Sequence, residues 1–366
     1  MRKIVVSGIN LFRGGTLKVM QDCIVALSVF AGNDYEIVAL VHNENQFPAY
    51  PNVRYISYPK SRKSWFYRLY YEYIGFKKLS KQLKPYCWFS MHDTTPNVVA
   101  EKRMVYCHNP YPFFKPGIGG FFLQRNIFFL CLLSKYLYKI NIKKNDYVIV
   151  QQEWLRQAFK KMFSIHNIVV ALPMKEKKEI VIPEHQSLKD KKTFFYPATA
   201  ILQKNFEIIC RAAGFLEKEG IDNFEVIVTL ERTENKYAEF IYTTYQSLKT
   251  VKFVGFLPPE EVNTYYENSD CLLFSSKAET WGLPISEAKE YDKPMILSNL
   301  PYAKEAVGKY DKVRFFDPDN AAQLAILMKS FMDGTIVYDK TEEIRYEQPV
   351  VYDWGELIRF LFIQVS

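Results

Sequence analysis

The sequence predicts an α/β protein made of two doubly wound, parallel-sheet domains. Its 366 residues are too many for one ordinary core, and a hydrophobic content of 48% is ample for two cores. Short apolar runs alternate with helical patterns through most of the chain, which indicates parallel strands with helices on both faces of each sheet. The alternation stops at residues 175–192, which are rich in lysine and glutamate and are interpreted as a linker.

Residues 1–174 form the first predicted domain, which is Rossmann-like. Its apolar runs predict strands at residues 4–7, 36–41, 53–57, 87–90, 104–107, 147–150 and 168–171. Helical patterns lie between several of these runs, at residues 17–30, 66–83, 121–138 and 154–162. Strand and helix therefore alternate as a doubly wound sheet requires.

Residues 193–350 form the second predicted domain, also Rossmann-like. Its apolar runs predict strands at residues 193–196, 225–229, 251–254, 271–274, 295–298 and 313–316. A helix is predicted at residues 353–364, within a final segment, residues 351–366. Its apolar stripe consists of Trp354, Leu357, Ile358, Leu361 and Phe362. On the pattern alone, this helix either crosses back to the first domain or caps its own domain.

The charge and the cysteines restrict the classes of protein to consider. A net charge of +8 favours a negatively charged partner. The six cysteines lie at least 20 residues apart, so no zinc or redox spacing exists, and several lie in apolar runs typical of buried, reduced thiols in a cytoplasmic protein. The apolar start is too short for a signal peptide, and the longest apolar run, residues 127–133, cannot span a bilayer. We therefore expect a soluble or peripheral protein.

The most informative stretch is residues 277–290. It carries two carboxylates, Glu279 and Glu287, eight positions apart around a turn that contains Gly282 and Pro284. The apolar residues 271–274 before the turn predict a strand, and residues 285–291 after the turn predict a helix, with Pro284 at the first helical position. Carboxylates suit sugar or ribose hydroxyls, and free amides at a helix start suit a phosphate, so a nucleotide-sugar pocket is indicated. The alternative is a surface helix with ordinary glutamates.

This stretch resembles the Glu-x7-Glu motif of the retaining family 4 glycosyltransferases, with an aromatic residue, Gly and Leu-Pro between its glutamates. The resemblance extends along most of the chain. It implies the GT-B fold, in which two Rossmann-like domains face each other across a cleft that holds the active site, and the last helix returns to the N-terminal domain. It places Glu279 by the donor sugar, Glu287 on the ribose, and the amides near Gly282 and Leu283 on the donor diphosphate.

Two further loops match donor-binding loops of this family. Gly14 and Gly15 lie between the first strand and a helix, where the resemblance places the donor phosphates; a simple turn is the alternative. Lys204 and Asn205 match the lysine part of a loop in which the family carries an Arg and a Lys on the diphosphate. The arginine is missing, since nothing from residue 197 to residue 203 is basic. Stabilisation of the leaving group then falls to another cation or to backbone amides.

Two histidines follow predicted strands of the first domain. His108 matches a family histidine beside the donor sugar, although a lone histidine at a strand end is more often structural. His92 and Asp93 follow the preceding strand. Because open parallel sheets bind ligands at their carboxyl ends, both are assigned to the acceptor side, with a structural turn as the alternative.

The sequence Asp317-Pro318-Asp319 is a literal Asp-x-Asp, the metal signature of a different glycosyltransferase fold. Asp319 precedes a predicted helix at residues 321–332, which favours helix capping over metal binding. The resemblance also implies no catalytic metal ion. We therefore expect no metal and no cofactor, the nucleotide sugar being a substrate.

Two stretches combine aromatic residues with cations. Residues 60–84 hold eight cations and one acid, Glu72, together with seven aromatic residues, and residues 115–144 hold six cations and no acid. Such helices suit an anionic membrane surface; the alternative is that they pack their aromatic residues inward. Nucleic acid is not expected as a partner, because no nucleic-acid-binding motif is present.

The resemblance implies a retaining hexosyltransferase that moves a sugar from a nucleotide-diphosphate donor to a glycan or polyprenyl-diphosphate-linked acceptor. The setting it implies is bacterial surface polysaccharide synthesis (capsule, O-antigen or exopolysaccharide), by a cytoplasmic protein peripheral to the inner face of the cell membrane. Two alternatives stay open. One is a nucleotide-sugar epimerase of the same fold, which the context of Glu279 and Glu287 disfavours, and the other is a non-catalytic binding subunit, which the missing arginine keeps open.

Overall fold

The computed structural model describes residues 1–172 and 191–363, so nearly all of the predicted linker lies outside the described residues. The described chain forms two compact units. The first unit contains residues 1–109, 134–172 and 346–363, and the second unit contains residues 110–133 and 191–345. Residues 110–133 thus group with the second unit, although they come from the first half of the sequence.

The described residues contain fourteen strands and thirteen α-helices. The strands are β1 (Arg2–Ser7), β2 (Tyr35–Val41), β3 (Val53–Ser57), β4 (Cys87–Ser90), β5 (Lys102–Cys107), β6 (Tyr147–Val150), β7 (Ile168–Ala171), β8 (Lys192–Tyr196), β9 (Phe224–Val228), β10 (Val251–Phe253), β11 (Cys271–Phe274), β12 (Met295–Ser298), β13 (Val313–Phe316) and β14 (Val350–Val351). The helices are α1 (Gly14–Ala31), α2 (Trp65–Tyr70), α3 (Phe76–Leu83), α4 (Gly119–Leu123), α5 (Arg125–Lys139), α6 (Glu153–Phe163), α7 (Phe206–Lys218), α8 (Lys236–Tyr245), α9 (Pro259–Asn268), α10 (Leu283–Glu290), α11 (Pro301–Val307), α12 (Ala321–Met332) and α13 (Trp354–Ile363).

Each unit is built on one parallel sheet. The first sheet has eight strands in the order β14-β7-β6-β5-β4-β1-β2-β3, and the second has six in the order β10-β9-β8-β11-β12-β13. Strands β4 and β11 are buried at every position, as expected where helices cover both faces of a parallel sheet. The predicted fold class, two doubly wound α/β sheets, is therefore confirmed.

Two of the predicted helices are interrupted in the structure. The one predicted at residues 66–83 consists of α2, a π-helical segment at Tyr71–Gly75, and α3. The one predicted at residues 121–138 is divided at Gln124, whose backbone is not helical, into α4 and α5. Each of the two stretches rich in aromatic residues and cations, residues 60–84 and 115–144, contains one of these breaks.

The core of the first unit includes the last described helix. Leu361 and Phe362 of α13 lie in the same buried cluster as Met20 and Leu27 of α1. Of the described helices, α1 alone has the length and composition to cross a bilayer, with 18 residues and a mean hydropathy of 1.2, and its buried side chains belong to this cluster. All six cysteines are buried and free, as expected from their apolar surroundings.

Candidate functional site

The polar site of the second unit lies where β8 and β11 end. These strands are adjacent and parallel, so the loops that follow them meet at one edge of the sheet. Lys204 closes a short 3₁₀ turn after β8, and Glu279 lies in the loop between β11 and α10. The Lys204 amine pairs with Glu279 Oε1, and the two side chains are only 16% and 14% exposed. Ser276 Oγ donates to the same carboxylate oxygen at 2.6 Å.

The backbone that carries Lys204 is held from several sides. The hydroxyls of Tyr196 and Ser275 donate to the Lys204 carbonyl, at 2.6 and 3.0 Å. Asn205 adopts a left-handed backbone with φ of 56°, and its side-chain amide donates to the Pro318 carbonyl at 2.8 Å. Asn205 was assigned to the donor from the sequence. In the structure Asn205 is buried, with 7% of its surface exposed. Its side chain helps to hold the loop between β8 and α7, residues 197–205, which we call the lysine loop.

Two buried tyrosines lie near the Glu279 carboxylate. Tyr302 donates its hydroxyl to the Ser276 carbonyl at 2.6 Å, and Tyr196 bonds the Lys204 carbonyl. Burial, and then the negative charge of Glu279, raises the pKa of both tyrosines well above the ordinary value. Both hydroxyls are therefore protonated donors that orient the two loops.

Glu287 is placed by a different element, the helix α10. The hydroxyl of Tyr266, a residue of α9, donates to Glu287 Oε2 at 2.9 Å. Burial, and then Glu287, raises the pKa of Tyr266 well above its ordinary value, which keeps this donor protonated. An ionised carboxylate is an acceptor with several lone-pair sites, which suits a diol such as that of ribose.

The start of α10 is a glycine turn. Gly282 has φ of 88°, and a Cβ there would lie 3.2 Å from the Ile285 side chain, so both backbone and space favour glycine. The helix begins at Leu283, so Pro284 is its second residue and the prediction that it is the first was off by one. Leu283 is 41% exposed.

Gly14 and Gly15 open α1 in the first unit. Both are exposed, and a Cβ at either would meet no other atom within 4 Å. Gly14 has φ of 57°, a conformation that glycine adopts without strain. The side chain of Arg13, the residue before α1, makes no capping hydrogen bond to the first backbone amides of the helix. Amides at such a helix start are suited to binding an anion.

The strand ends of the first unit bring His92, Asp93 and His108 together. Asp93 has φ of 70°, and its Oδ1 accepts the backbone amide of His108 at 2.7 Å. His92 is fully buried, with its ring nitrogens 3.3 Å from Ser7 Oγ and 3.2 Å from Thr94 Oγ1. Asp93 therefore organises the loop that carries His108, which is itself 9% exposed, whereas the His92 ring contacts Ser7 and Thr94.

The Asp-x-Asp sequence has a different role from the predicted one. The cap of α12 is Asn320, whose side chain accepts the Gln323 amide at 2.9 Å, so the prediction that Asp319 caps this helix is wrong. Asp319 instead pairs with Lys277 at 2.5 Å. Within residues 1–172 and 191–363, no group of three His, Cys, Asp or Glu side chains has the arrangement of a metal site.

Sequence reasoning missed the residues that hold the site in place. Tyr266, Ser276 and Tyr302 bond the glutamates or their loops, but nothing in their spacing marks them. Their roles follow only from strand order, which brings loops distant in sequence together. Gln124, which bonds the Ala200 carbonyl, was missed for the same reason.

Comparison with known proteins relates the second half of the chain to one family. Residues 177–348 match the family model Glycosyl transferases group 1. No curated protein sequence matches the chain significantly. The match includes the loops of Lys204, Glu279 and Glu287.

Similar solved structures cover nearly the whole chain. Sucrose-phosphate synthase from Thermosynechococcus elongatus superposes with a TM-score of 0.65 and 12% identity, over 92% of this chain and 90% of that one. The lipopolysaccharide outer core galactosyltransferase WaaB, in its apo form, gives 0.63 and 12% over 100% of both chains. Anabaena HepE, in complex with UDP and glucose, gives 0.56 and 12% over 92% and 91%. The fold is therefore the GT-B fold of glycosyltransferases.

Proposed function

We propose that this protein is a retaining hexosyltransferase that uses a nucleotide-diphosphate sugar. The observation that carries the proposal is the pairing of Lys204 with Glu279 at the carboxyl ends of β8 and β11. A cation suited to a diphosphate thereby lies beside a carboxylate suited to a sugar hydroxyl, within the region that matches the glycosyltransferase model. The UDP and glucose named with the HepE structure support a donor of the same class.

We assign the donor contacts as follows. Glu287, already oriented by Tyr266, binds the ribose, and Glu279 binds the sugar. Lys204 and the amides near Gly282 and Leu283 bind the diphosphate. The resemblance adds Gly14 and Gly15 as backbone contacts to the same diphosphate, and His108 beside the sugar.

The reaction needs no covalent enzyme intermediate. The bond between the anomeric carbon and the phosphate oxygen breaks, and its electron pair leaves with the nucleoside diphosphate. The acceptor hydroxyl attacks the anomeric carbon from the same face, and its proton passes to the departing phosphate oxygen, so the configuration is retained. The task of the protein is to stabilise the charge that develops on the diphosphate and to position the acceptor. Lys204 is the cation assigned to the first task.

We further propose that the acceptor is a glycan or a polyprenyl-diphosphate-linked glycan of bacterial surface polysaccharide synthesis, and that the protein acts in the cytoplasm at an anionic membrane surface. The support is the exposure of large apolar side chains in the basic stretches. Phe66 is 84% exposed, Ile74 61% and Tyr70 53%. Aromatic residues that packed inward would be buried, so this exposure favours a membrane surface over the packing alternative.

The test is incubation with UDP-, GDP- and ADP-linked hexoses, with and without a polyprenyl-diphosphate-linked glycan, followed by measurement of free nucleoside diphosphate. We expect release with one donor, stimulated by the acceptor, and a product whose anomeric configuration by NMR equals that of the donor. Glu279→Gln should abolish release, and Glu261→Gln, at an exposed position of α9, should not. Conversion of the donor into an isomerised sugar nucleotide without acceptor contradicts the proposal, and so does no release of nucleoside diphosphate with any donor.

A further inference from the structure

One side chain of residues 110–133 hydrogen-bonds to the lysine loop of the second unit. Gln124, at the break between α4 and α5, donates from Nε2 to the Ala200 carbonyl at 2.9 Å and to Asn235 Oδ1 at 3.0 Å. Its Oε1 accepts the backbone amide of Leu202 at 3.0 Å. One amide side chain therefore holds the loop by both a carbonyl and an amide, two residues before Lys204. Such contacts fix the course of a loop, because each backbone group has a defined partner.

The same segment packs against the loop of Glu279. Phe114 and Cys131 form a small buried cluster with Ala278, the residue before Glu279, and Leu202 packs against this cluster. The approach is close: a Cβ at Gly120 would lie 2.9 Å from the Leu202 side chain. A movement of this segment must therefore move, or be resisted by, both loops of the candidate site.

The opposite face of the segment is apolar and exposed. Ile118 is 83% exposed and Phe122 71%. On α5, Phe129, Leu132 and Leu133 are between 44% and 51% exposed at helical spacing. The charged residues of the stretch itself are all cations, since residues 115–144 contain no acid. An exposed apolar helix face whose own stretch carries cations and no acid is complementary to an anionic lipid surface.

We propose that residues 110–133 sense an anionic lipid surface and that Gln124 is a positioning residue that couples this contact to the lysine loop. Lipid contact holds the exposed face of the segment in one orientation, and Gln124 transmits that restraint to Ala200 and Leu202. The lysine loop is then ordered when the protein is at a membrane. The donor diphosphate at this loop and the anionic membrane surface both belong to the proposed function; the coupling through Gln124 goes beyond it.

Hydrogen exchange on the full chain tests the coupling without a donor. The probe is a vesicle of phosphatidylglycerol and phosphatidylcholine, with pure phosphatidylcholine vesicles as the neutral arm. We expect anionic vesicles to slow exchange at the amides of residues 200–204 in the wild type. Gln124→Ala should still sediment with the vesicles but lose the slowing in this loop. Gln246→Ala, at an exposed position after α8, is the matched control and should behave as the wild type.

A second variant changes the exposed face of the segment that is proposed to contact lipid. Phe122→Ser leaves Gln124 in place and removes an exposed apolar side chain, so it should weaken both vesicle binding and the slowing of exchange, with the fold preserved by circular dichroism. The proposal is overturned if anionic vesicles slow hydrogen exchange at residues 200–204 equally in the wild type and in Gln124→Ala. It is also overturned if the wild type stays in the supernatant, or if it binds neutral and anionic vesicles equally.

Reciprocity gives a further measurement that separates this proposal from the proposed function. If vesicles tighten binding of UDP, GDP or ADP, the nucleotide must tighten vesicle binding by the same factor. We expect a factor of about 5 or more in the wild type and a factor near 1 in Gln124→Ala. If none of the three nucleotides binds, the proposed donor site fails, while the exchange experiment still decides the coupling.

Discussion

Arg68 and Glu72 form an ion pair, with Nε and Oε1 2.6 Å apart, in which the Glu72 side chain is only 1% exposed. Thr94 donates its hydroxyl to the other carboxylate oxygen at 2.6 Å, and His92 Nδ1 lies 3.2 Å from the first. Burial opposes ionisation of Glu72, but Arg68, then His92 and Thr94, hold its pKa below the ordinary value. The one acid of the first basic stretch therefore joins the π-helical segment to the loop after β4.

Glu72→Ala should destabilise the first unit strongly. Removing one partner of a buried pair leaves the other charge without compensation, which typically costs about 3–5 kcal/mol. Urea denaturation gives the measurement. Asp22→Ala is the matched control, because Lys18 and Asp22 form a pair of the same i,i+4 spacing with side chains 66% and 32% exposed. The control should lose less than about 1 kcal/mol. Equal losses in the two variants contradict the structural role.

Stability should fall on acidification because of His92. Burial lowers the pKa of His92, which outweighs the opposite effect of Glu72. Below an ordinary histidine pKa of about 6.5, the unfolded chain binds a proton that the folded protein does not, so stability is complete above that pH and falls below it. His92→Asn should flatten the dependence of the urea midpoint on pH between about 8 and 5. The exposed His166→Asn should leave the slope unchanged; an equal slope in wild type and His92→Asn refutes the prediction.

Glu287→Ala should weaken binding of the nucleoside diphosphate. One hydrogen bond to a charged group is worth about 1.5–3 kcal/mol, or about 10- to 150-fold in affinity. Isothermal calorimetry measures the change. Tyr266→Phe should cause a smaller loss, since it removes only the hydroxyl that orients the carboxylate at 2.9 Å. A folded Glu287→Ala protein with unchanged affinity rules out the ribose role.

Lys204→Ala should lower turnover more than it lowers donor affinity. A cation that stabilises charge developing on the leaving diphosphate acts mainly in the transition state, and loss of one such group typically costs about 100- to 1000-fold in kcat. Lys192→Ala is the matched control, because Lys192 pairs with Asp270 at the opposite end of the same two strands. Its steady-state constants should equal those of the wild type. A raised KM with normal kcat in Lys204→Ala indicates uniform binding instead.

Four lysines on or next to α3 should govern the attraction of the first unit to anionic vesicles. Lys77, Lys78, Lys81 and Lys84 are all exposed. Each lysine near an anionic leaflet contributes about 1 kcal/mol, screened over a Debye length of about 8 Å at physiological salt. Replacing all four by Glu should abolish sedimentation with anionic vesicles and leave nucleotide affinity intact. The prediction is refuted if the wild-type protein sediments with neither anionic nor neutral vesicles.

The sheets were predictable because buried parallel strands are continuous apolar runs. Strand β11, for example, is a four-residue apolar run bounded by polar residues, and its predicted bounds are those of the structure. Strand β14 was not predicted, because two residues form no run. Its place is determined by pairing with β7, which no local pattern encodes.

The site was predictable only in part. The motif marked Glu279 and Glu287, but the contact of Glu279 with Lys204 depends on β8 lying next to β11. The burial of Glu72 was hidden for a related reason. Arg and Glu four positions apart look like an ordinary pair on a helix surface, and only the fold shows that the loop after β4 covers it.

The packing of α13 on α1 has a consequence for biosynthesis. The ribosome makes α1 early, but β14 and α13, which complete the same sheet and core, emerge only after the whole second unit. Throughout that interval the part of α1 that packs on α13 lacks its partner. We expect the first unit to reach its final packing after translation of residues 350–363, and chaperones to bind α1 before then.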